Sequence, residues 1–326
     1  MEMQMKDFIH RLIPKPLRPI ALNFVGFLRN PRYFIWYAKR MHGLTDAKIR
    51  YLLEHQFKAT MGYPPNLDNP RTLNEKIQWL KLNYRNPLLT KCADKVRVRD
   101  YIRDTIGEKY LVPIVGVYDS PDEIPFQNLP DKFVMKVNWG SGQNIICKNK
   151  NSLDVADVKR KLDRWMQPIS NHYYNFFEWC YKDIPPKILV EEYMEDLDGD
   201  LPDFKFFCYN GRVENMFIAK GRNLGDHTLS FTFFDRDFNR LPLKQHYPTF
   251  DGKIEKPDNW DEMITLAEKL AKPFLFARID FYIVGNSIKF GEITFNHFSG
   301  AVPFNPPEWD KKFGALINLS PEQSIS

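Results

Sequence analysis

The sequence feature that most constrains this chain is the segment from Arg278 to Asn296, RIDFYIVGNSIKFGEITFN. Apolar and polar residues alternate on both sides of the turn at Gly285-Asn286, a pattern that predicts two antiparallel strands. Asp280 and Glu292 can then face one another across the hairpin, on the side away from water. Two facing carboxylates repel, and one of them would be protonated, unless a cation neutralises the pair.

The pair has the chemistry of a metal site. Carboxylate oxygens are hard ligands, and in a cleft they imply Mg²⁺ shared with a phosphate. Arg278 shares a strand face with Asp280 and could brace a transferred phosphoryl group. The alternative is a surface hairpin with acids at chance positions, which the aromatic residues around it disfavour.

Two further segments carry charges in positions that suit a nucleotide. In FVMKVNWGSGQNIICK, Lys136 lies mid-strand, where it requires an anionic partner, and the turn at 139–142 offers N–H groups to phosphate. In ILVEEYM, an apolar strand ends at Glu191 and Glu192, where a carboxylate could accept from ribose or adenine. Taken singly, each has an ordinary explanation, as an edge-strand lysine beside a glycine hairpin and as two solvated acids.

Composition narrows the class of protein. The 326 residues are 43% hydrophobic and 27% charged, as in a globular chain of two or three subdomains. The four cysteines form no CxxC pair, which excludes zinc-ribbon and thioredoxin sites and predicts reduced thiols in the cytosol. No apolar stretch reaches the roughly 18 residues of a transmembrane helix. No histidine accompanies a nucleophile at a telling spacing, so Ser-His-Asp hydrolysis has no support.

The basic charge is concentrated at the N-terminus. Residues 1–43 contain eight Lys or Arg and two acidic residues, a balance of +6, whereas the whole chain carries +5 and residues 44–326 therefore −1. A body without net positive charge argues against a nucleic-acid binder with a broad basic face. The aromatic residues among these cations suit an anionic membrane surface. The alternative is a pair of helices packed on the body with solvated cations.

Periodicity predicts the remaining elements and the fold class. Helices are expected in TDAKIRYLLEHQFKATMG, with Thr45 or Asp46 as cap, in NPRTLNEKIQWLKLNY, where Thr72 and Glu75 have capping-box spacing, in NSLDVADVKRKLDRWMQ and in DEMITLAEKLAK. The segment TKCADKVRVRDYIRDTIGEKYLVPIVGVYDS is expected to form a helix that stops at Gly107 and then a strand. A second hairpin is expected in DFKFFCYNGRVENMFIAKG. This order predicts an α+β, or mixed α/β, fold built from several small sheets.

The order of these motifs resembles the ATP-grasp superfamily: a helix with DK, a strand lysine with a glycine hairpin, a strand ending in EE, then RxD followed twelve residues later by GExT. The segments NPRTLNEKIQWLKLNYRNPLLTKCADK, KFVMKVNWGSG, DFKFFCYNGRV and FGEITF are similar to its TupA-like branch, named for teichuronopeptide synthesis. The resemblance covers residues 61–317 and leaves the basic N-terminal segment outside.

The resemblance implies an ATP-grasp fold in which two α+β subdomains clasp ATP. It divides the chain into a helical N-terminal segment, an N-terminal subdomain, a central lid and a C-terminal subdomain with the metal site, at residues 1–60, 61–130, 131–195 and 196–326.

The resemblance also implies roles for individual residues. Phosphates would be held by Lys95, Lys136 and the loop Gly140, Ser141 and Gly142; adenine and ribose by Glu191, Glu192, Tyr193 and Met194; further polar contacts would come from Asp203 and Lys205. Arg278 and Lys136 would stabilise the charge that moves during catalysis, and Asp280 and Glu292 would hold Mg²⁺. Most of the superfamily has E-x-N here, whereas this chain has Thr294 and then Asn296, which leaves the third metal ligand open between these two.

The implied activity is that of an ATP-dependent carboxylate–amine ligase that forms an amide through an acyl phosphate. The expected substrates are a uronic acid or other carboxylate of a bacterial surface polysaccharide, or of its nucleotide- or lipid-linked precursor, and an amine or amino acid. The expected place is the cytoplasm, with peripheral association at the inner face of the membrane. Two alternatives stay open: a glycosyltransferase using the acids of DLDGD at 196–200, and a non-catalytic nucleotide-binding scaffold.

Overall fold

The computed structural model describes residues 44–194, 201–221 and 229–319. The basic N-terminal segment, residues 1–43, and the acidic DLDGD motif at 196–200 lie outside the described residues. The chain divides into two units, residues 1–52 and residues 53–326, and all the site residues considered below belong to the second. None of the helices in the described ranges has the length and apolar character needed to cross a membrane.

Eight α-helices and eleven strands lie in the described ranges, besides short 3-10 helices. The helices are α1 (Asp46–Met61), α2 (Leu73–Asn83), α3 (Pro87–Ala93), α4 (Val98–Thr105), α5 (Val155–Trp165), α6 (His172–Phe176), α7 (Trp260–Ala271) and α8 (Glu308–Ala315). The strands are β1 (Ile114–Tyr118), β2 (Phe133–Val137), β3 (Asn144–Cys147), β4 (Ile188–Glu192), β5 (Asp203–Tyr209), β6 (Arg212–Lys220), β7 (Ser230–Asp235), β8 (Lys244–Gln245), β9 (Phe276–Val284), β10 (Ser287–Thr294) and β11 (Phe304–Asn305).

The strands form three antiparallel sheets. A four-stranded sheet has the order β1-β4-β2-β3, a five-stranded sheet has the order β10-β9-β5-β6-β7, and β11 pairs with β8. Separate small sheets combined with helices confirm the predicted α+β fold class. Because β1 lies in the same sheet as β2 to β4, this sheet includes residues on both sides of the expected boundary at 130. The division of residues 53–326 into subdomains stays a prediction.

The five-stranded sheet separates a hydrophobic layer from a charged one. On one face of β5, the Phe206 ring lies 5.4 Å from the Trp260 ring of α7, between centroids, and Cys208 packs beside the same helix. Successive side chains of a strand point to opposite faces. Lys205 therefore lies on the other face of β5, directly opposite Asp280 of β9. The sheet thus presents charged side chains away from α7.

Local sequence signals account for several element ends. The capping box at the start of α2 is confirmed, since the Thr72 side chain accepts from the Glu75 backbone N–H and the Glu75 side chain accepts in return. The predicted hairpin of β5 and β6 is also confirmed. Its turn residues Asn210 and Gly211 have φ values of 48° and 82°, the left-handed conformation that two-residue hairpin turns require.

The single helix predicted through the DK motif is wrong. The structure has two helices there, α3 and α4, with Asp94 and Lys95 in the turn between them. Asp94 Oδ1 accepts hydrogen bonds from the backbone of Val96 and from Asn138 Nδ2, each at 2.9 Å. Side-chain bonds of this kind compete with the helical hydrogen-bond pattern. The Lys95 N–H also donates to the Asn138 carbonyl oxygen at 3.1 Å, so Lys95 is fixed beside β2.

Candidate active site

The hairpin of β9 and β10 forms the centre of the candidate site. Asp280 and Glu292 are directly opposed, as predicted, but a simple two-residue hairpin would have paired Asp280 with Gly291. The pairing changes register between Phe290 and Glu292, with Gly291 as the extra residue. A Cβ at Gly291 would lie 2.9 Å from the Tyr282 ring and 3.1 Å from the Asp280 carbonyl oxygen. The glycine bulge therefore turns Glu292 to the face that carries Asp280.

Arg278 is the cation that links the two acids. Its Nε and Nη2 atoms donate to the two oxygens of Asp280 at 2.7 Å each, and Nη2 also donates to Glu292 Oε1 and Thr294 Oγ1 at 2.9 Å. On β5, Lys205 Nζ contacts Asp280 Oδ2 and lies 2.5 Å from Asp203 Oδ2. The carboxylate pair is thus neutralised by an arginine and a lysine of the chain itself.

The pKa values of the two carboxyls shift in opposite directions. Burial raises the pKa of Asp280 to about 6, even though Arg278 and Lys205 oppose that rise. Burial also raises the pKa of Glu292, but the charges of Lys95, Arg278 and Lys205 outweigh it and leave the pKa well below its usual range. The Glu292 side chain keeps 35% of its surface exposed, whereas that of Asp280 keeps 1%. Glu292 is therefore the more accessible of the two.

A second group of charges lies on the four-stranded sheet. Lys136 Nζ donates to Glu191 Oε2 at 2.7 Å, which confirms that this mid-strand lysine has an anionic partner. Arg99 Nη1 donates to the other oxygen of Glu191 at 3.2 Å. Lys95 Nζ donates to the Gly140 carbonyl oxygen at 2.7 Å, and burial lowers the pKa of Lys95. Lys95 therefore binds the glycine loop at 140–142 directly.

These charges surround two adjoining cavities. The larger one, of about 340 Å³, is bordered by the loop at 140–142 and by Lys95, Lys136, Asp203, Lys205, Arg278, Tyr282 and Glu292. The smaller one, of about 20 Å³, is a narrow slot beside Arg99, Leu189, Glu191 and Phe290. Lys95, Lys136, Gly291 and Glu292 border both. Four cations and two acids border the larger cavity, so the charge of its lining is net positive and suits a polyphosphate.

The structure does not bring every predicted residue to this cavity. Glu192 is exposed, and Tyr193 lies between Lys132 and Lys148, whose Nζ atoms are 5.9 and 6.0 Å from the centre of its ring. Met194 is half-buried and, like these two, does not border the described cavities. Asn296 Nδ2 donates to Cys180 Sγ at 3.6 Å.

Thr294 is the candidate third ligand that lies beside the acids. Its Oγ1 is 3.1 Å from Glu292 Oε1 and accepts from Arg278. Among the described residues, no group of three or more His, Cys, Asp or Glu side chains is arranged to hold a metal ion. Asp280 and Thr294 border neither cavity, and both Asp280 oxygens accept from Arg278, whereas Glu292 borders both cavities. One or two carboxylates suffice for Mg²⁺, because this ion keeps several waters and also uses phosphate oxygens.

The sequence predicts that His297 lies close to the site as a hydrogen-bonded structural histidine, with proton transfer as the alternative, but it does not predict the partners that fix Arg278 and the glycine loop. His297 is 1% exposed; its Nδ1 accepts from Arg278 Nη1 at 2.9 Å, and its Nε2–H donates to Gln245 Oε1 at 2.8 Å. Burial lowers the pKa of His297 well below its usual range, which fits this neutral form. His172 Nε2 accepts from the Ser141 N–H at 3.4 Å. Gln245 and His172 lie far from these partners in sequence and form no motif with them.

Lys81 is a further buried cation, on α2. Burial lowers its pKa to about 8, so the protonated lysine opposes folding at pH 7 and does so less as the pH rises through 8. We expect the wild type, relative to Lys81→Met, to gain about 1 kcal/mol of unfolding free energy between pH 7 and pH 9. Urea titrations measure this, with exposed Lys311→Met as control. The same difference at both pH values would contradict it.

Comparisons with known proteins identify the family of the chain. The family model described as TupA-like ATPgrasp matches residues 75–318, so the chain belongs to the TupA-like ATP-grasp family. A comparison with curated proteins found no match.

Several solved structures are similar to the chain. The D-alanine–D-alanine ligase from Bacillus anthracis complexed with ATP is 15% identical, with a TM-score of 0.39 over 68% of this chain and 61% of that one. The L-amino acid ligase from Bacillus licheniformis is 10% identical, with a TM-score of 0.44 over 76% and 55%. The N5-carboxyaminoimidazole synthase from Aspergillus clavatus, in complex with ADP and a ribonucleotide, is 13% identical, with a TM-score of 0.36 over 68% and 47%. The chain thus spans less than two thirds of each solved protein's length.

Proposed function

We propose that this protein is an ADP-forming carboxylate–amine ligase whose carboxylate substrate is a uronic acid, or another acid, of a bacterial surface polysaccharide or its precursor. The observation that supports this most is that Arg278 links the buried Asp280 to Glu292, and that Arg278 and Glu292 border a cavity that Lys95 and Lys136 also border. A carboxylate and a polyphosphate are both anions, so their site must supply cations, and its acidic side chains would serve the Mg²⁺ that accompanies the phosphates. Family membership supports ATP as the nucleotide.

In this proposal, different residues of the chain bind different parts of the substrates. Lys95 and Lys136 bind the phosphates of ATP, and the loop at 140–142 covers them with backbone N–H groups. Glu191, on the wall of the slot, faces the nucleoside. Arg278 orients the γ-phosphate and the substrate carboxylate in line, where positioning and charge stabilisation supply most of the catalysis.

The proposed reaction has two steps. A substrate carboxylate oxygen forms a bond to the γ-phosphorus while the bond from that phosphorus to the β,γ-bridging oxygen breaks, which gives an acyl phosphate and ADP. The amine nitrogen next attacks the acyl carbon, and phosphate leaves with the oxygen that came from the carboxylate. Asp280 and Glu292, with Thr294, would hold the Mg²⁺, which when bound neutralises the charge of the phosphates. The amine loses one proton as the amide forms.

Hydroxylamine trapping tests this proposal. The protein is incubated with Mg-ATP, hydroxylamine and each of a panel of uronic acids, and both ADP and hydroxamate are measured. We expect ADP and hydroxamate in equal amounts with at least one acid, because hydroxylamine replaces the natural amine. In a separate incubation with a UDP-sugar, consumption of that sugar, together with no ADP in the first assay, would instead support the glycosyltransferase alternative. Nucleotide binding with neither reaction would support the scaffold.

We further propose that residues 1–43 bring the protein to the inner face of the cell membrane, where lipid-linked glycan precursors are available. The support is their charge of +6 together with interleaved aromatic residues. Deleting residues 1–43 is expected to abolish co-sedimentation with anionic liposomes and to leave activity on soluble substrates unchanged. Neutral liposomes are the control. Unchanged binding of the truncated protein to anionic liposomes would contradict this.

A further inference from the structure

One end of the larger cavity is aromatic. It is lined by Phe217, Leu229, Phe231, Tyr247 and Phe298, which we call the aromatic end. The Phe231 ring contacts three other rings of this group. Its centroid lies 4.4 Å from that of Phe217, 4.6 Å from that of Tyr247 and 6.1 Å from that of Phe298, to which it is nearly parallel. These rings form a continuous apolar wall inside an otherwise charged cavity.

Two of these rings are carried by strained backbone. Phe298, Ser299 and Gly300 have consecutive φ values of 46°, 55° and 61°, and Tyr247 follows His246, whose φ is 61°. The left-handed conformation is uncommon for residues other than glycine and is an outlier for one as bulky as Phe, and such residues concentrate at functional sites. Two separate segments of the chain therefore adopt strained turns where they deliver rings to the same cavity.

Helix α2 holds the first of these turns in place. Gln78 Nε2 donates to the carbonyl oxygens of Ser299 and Gly300 at 2.8 and 2.7 Å, and Lys81 Nζ donates to the Ser299 carbonyl oxygen at 2.7 Å. A Cβ at Gly300 would lie 2.9 Å from the Asn74 carbonyl oxygen, so the turn fits closely against the helix. Buried polar contacts thus fix the position of the Phe298 ring.

The aromatic end does not border the slot in which we place the nucleoside. The slot and the large cavity meet at Lys95, Lys136 and Glu292, and none of the aromatic residues borders the slot. Arg278 borders the same large cavity as the aromatic end, and its guanidinium carbon is 6.0 Å from the centre of the Phe217 ring. A carboxylate held at Arg278 would therefore have the rest of its molecule against the rings.

We propose that the aromatic end is the subsite for the sugar ring of the carboxylate substrate, whose C–H face packs on Phe298, Phe231 and Tyr247. This inference rests on the proposed function and adds that the carboxylate substrate must contain a sugar ring. The same cavity also presents Asn144, Asp203 and Tyr282, polar groups that suit hydroxyls. An apolar wall combined with a few polar groups matches a pyranose, which is apolar on one face and polar at its rim.

Saturation-transfer NMR tests the subsite directly. The probes are D-glucuronate and D-galacturonate, with acyclic D-gluconate as the comparison, each added to full-length protein with Mg²⁺ and a non-hydrolysable ATP analogue. We expect saturation of the ring C–H protons for at least one uronate and a weaker signal for gluconate. We expect Phe298→Leu and Tyr247→Leu to raise the Kd of that uronate by about tenfold. The Kd of the ATP analogue should change by less than about twofold, which also shows that the variants fold.

Phe250→Ala is the matched control, because Phe250 is 37% exposed and does not border the cavities. Equal uronate affinity in wild type, Phe298→Leu and Tyr247→Leu would overturn the subsite, as would gluconate binding as well as the uronates. The hydroxamate assay separates this failure from that of the proposed function. Hydroxamate formation with unchanged uronate affinity in the variants refutes the subsite alone, whereas no hydroxamate from any acid refutes the ligase.

Discussion

Glu292→Gln is expected to lower the rate of ADP formation by about 100- to 1000-fold, the usual effect of removing one charged group that acts on a transition state. Glu292 faces Asp280 at the cavity wall, and its side chain is the more exposed of the two. The amide of glutamine keeps the size and the hydrogen-bonding capacity of the side chain but loses the negative charge. The coupled assay for ADP, with Mg-ATP and a responsive carboxylic acid, measures the effect.

The fold should tolerate this substitution. Arg278 keeps both of its bonds to Asp280 when Glu292 is replaced, so we expect a loss of about 1 kcal/mol in the unfolding free energy. The control is Glu255→Gln, the same change at a side chain that is 76% exposed. Turnover like that of the wild type in Glu292→Gln would contradict the assignment. Asp280→Asn would test activity and stability together, because both Asp280 oxygens accept from Arg278 and Lys205 contacts one of them.

Arg278→Met is expected to have the largest effect on stability, a loss of about 3–5 kcal/mol at pH 7.5, as for other broken buried ion pairs. Arg278 bonds to Asp280, Glu292, Thr294 and His297, and its side chain is 10% exposed. Its removal leaves two facing carboxylates with less positive charge. Urea unfolding of the two proteins measures the loss.

The loss should depend on pH. Arg278 lowers the pKa of both Asp280 and Glu292, so both pKa values rise in Arg278→Met. Groups with a raised pKa in the folded state favour folding when protonated, and the variant should therefore recover part of its stability at pH 5.5. Arg212→Met, at a side chain that is 69% exposed, is the control. A loss below about 1 kcal/mol, or one that grows at pH 5.5, would contradict the ion network.

Short-range signals in the sequence were sufficient for much of the fold. The capping box at Thr72, the turn at Asn210-Gly211 and the alternation in β9 and β10 are all local patterns, and the structure confirms them. The pairing of Asp280 with Glu292 was also predicted, although the register needs a bulge at Gly291 that alternation alone does not reveal. The bulge depends on the close approach of Tyr282, a contact across the hairpin.

Long-range contacts explain what the sequence could not provide. The helix break at Asp94 depends on Asn138, and the anionic partner of Lys136 lies on β4. Each of these partners is more than forty residues away in sequence. The contacts of His297 with Arg278 and Gln245 cross the core in the same way. Side chains that meet only after the sheets assemble leave no periodic pattern in a single sequence.

The central claim is that a substrate carboxylate attacks the γ-phosphate of ATP, and isotope transfer tests it most directly. A uronate labelled with ¹⁸O in its carboxylate is incubated with the protein, Mg-ATP and hydroxylamine, and the released phosphate is examined by ³¹P NMR. Attack by the carboxylate predicts one ¹⁸O atom in each phosphate released, visible as an isotope shift of the ³¹P resonance. Phosphate without the label would contradict the claim, because the γ-phosphoryl group would then have passed to water.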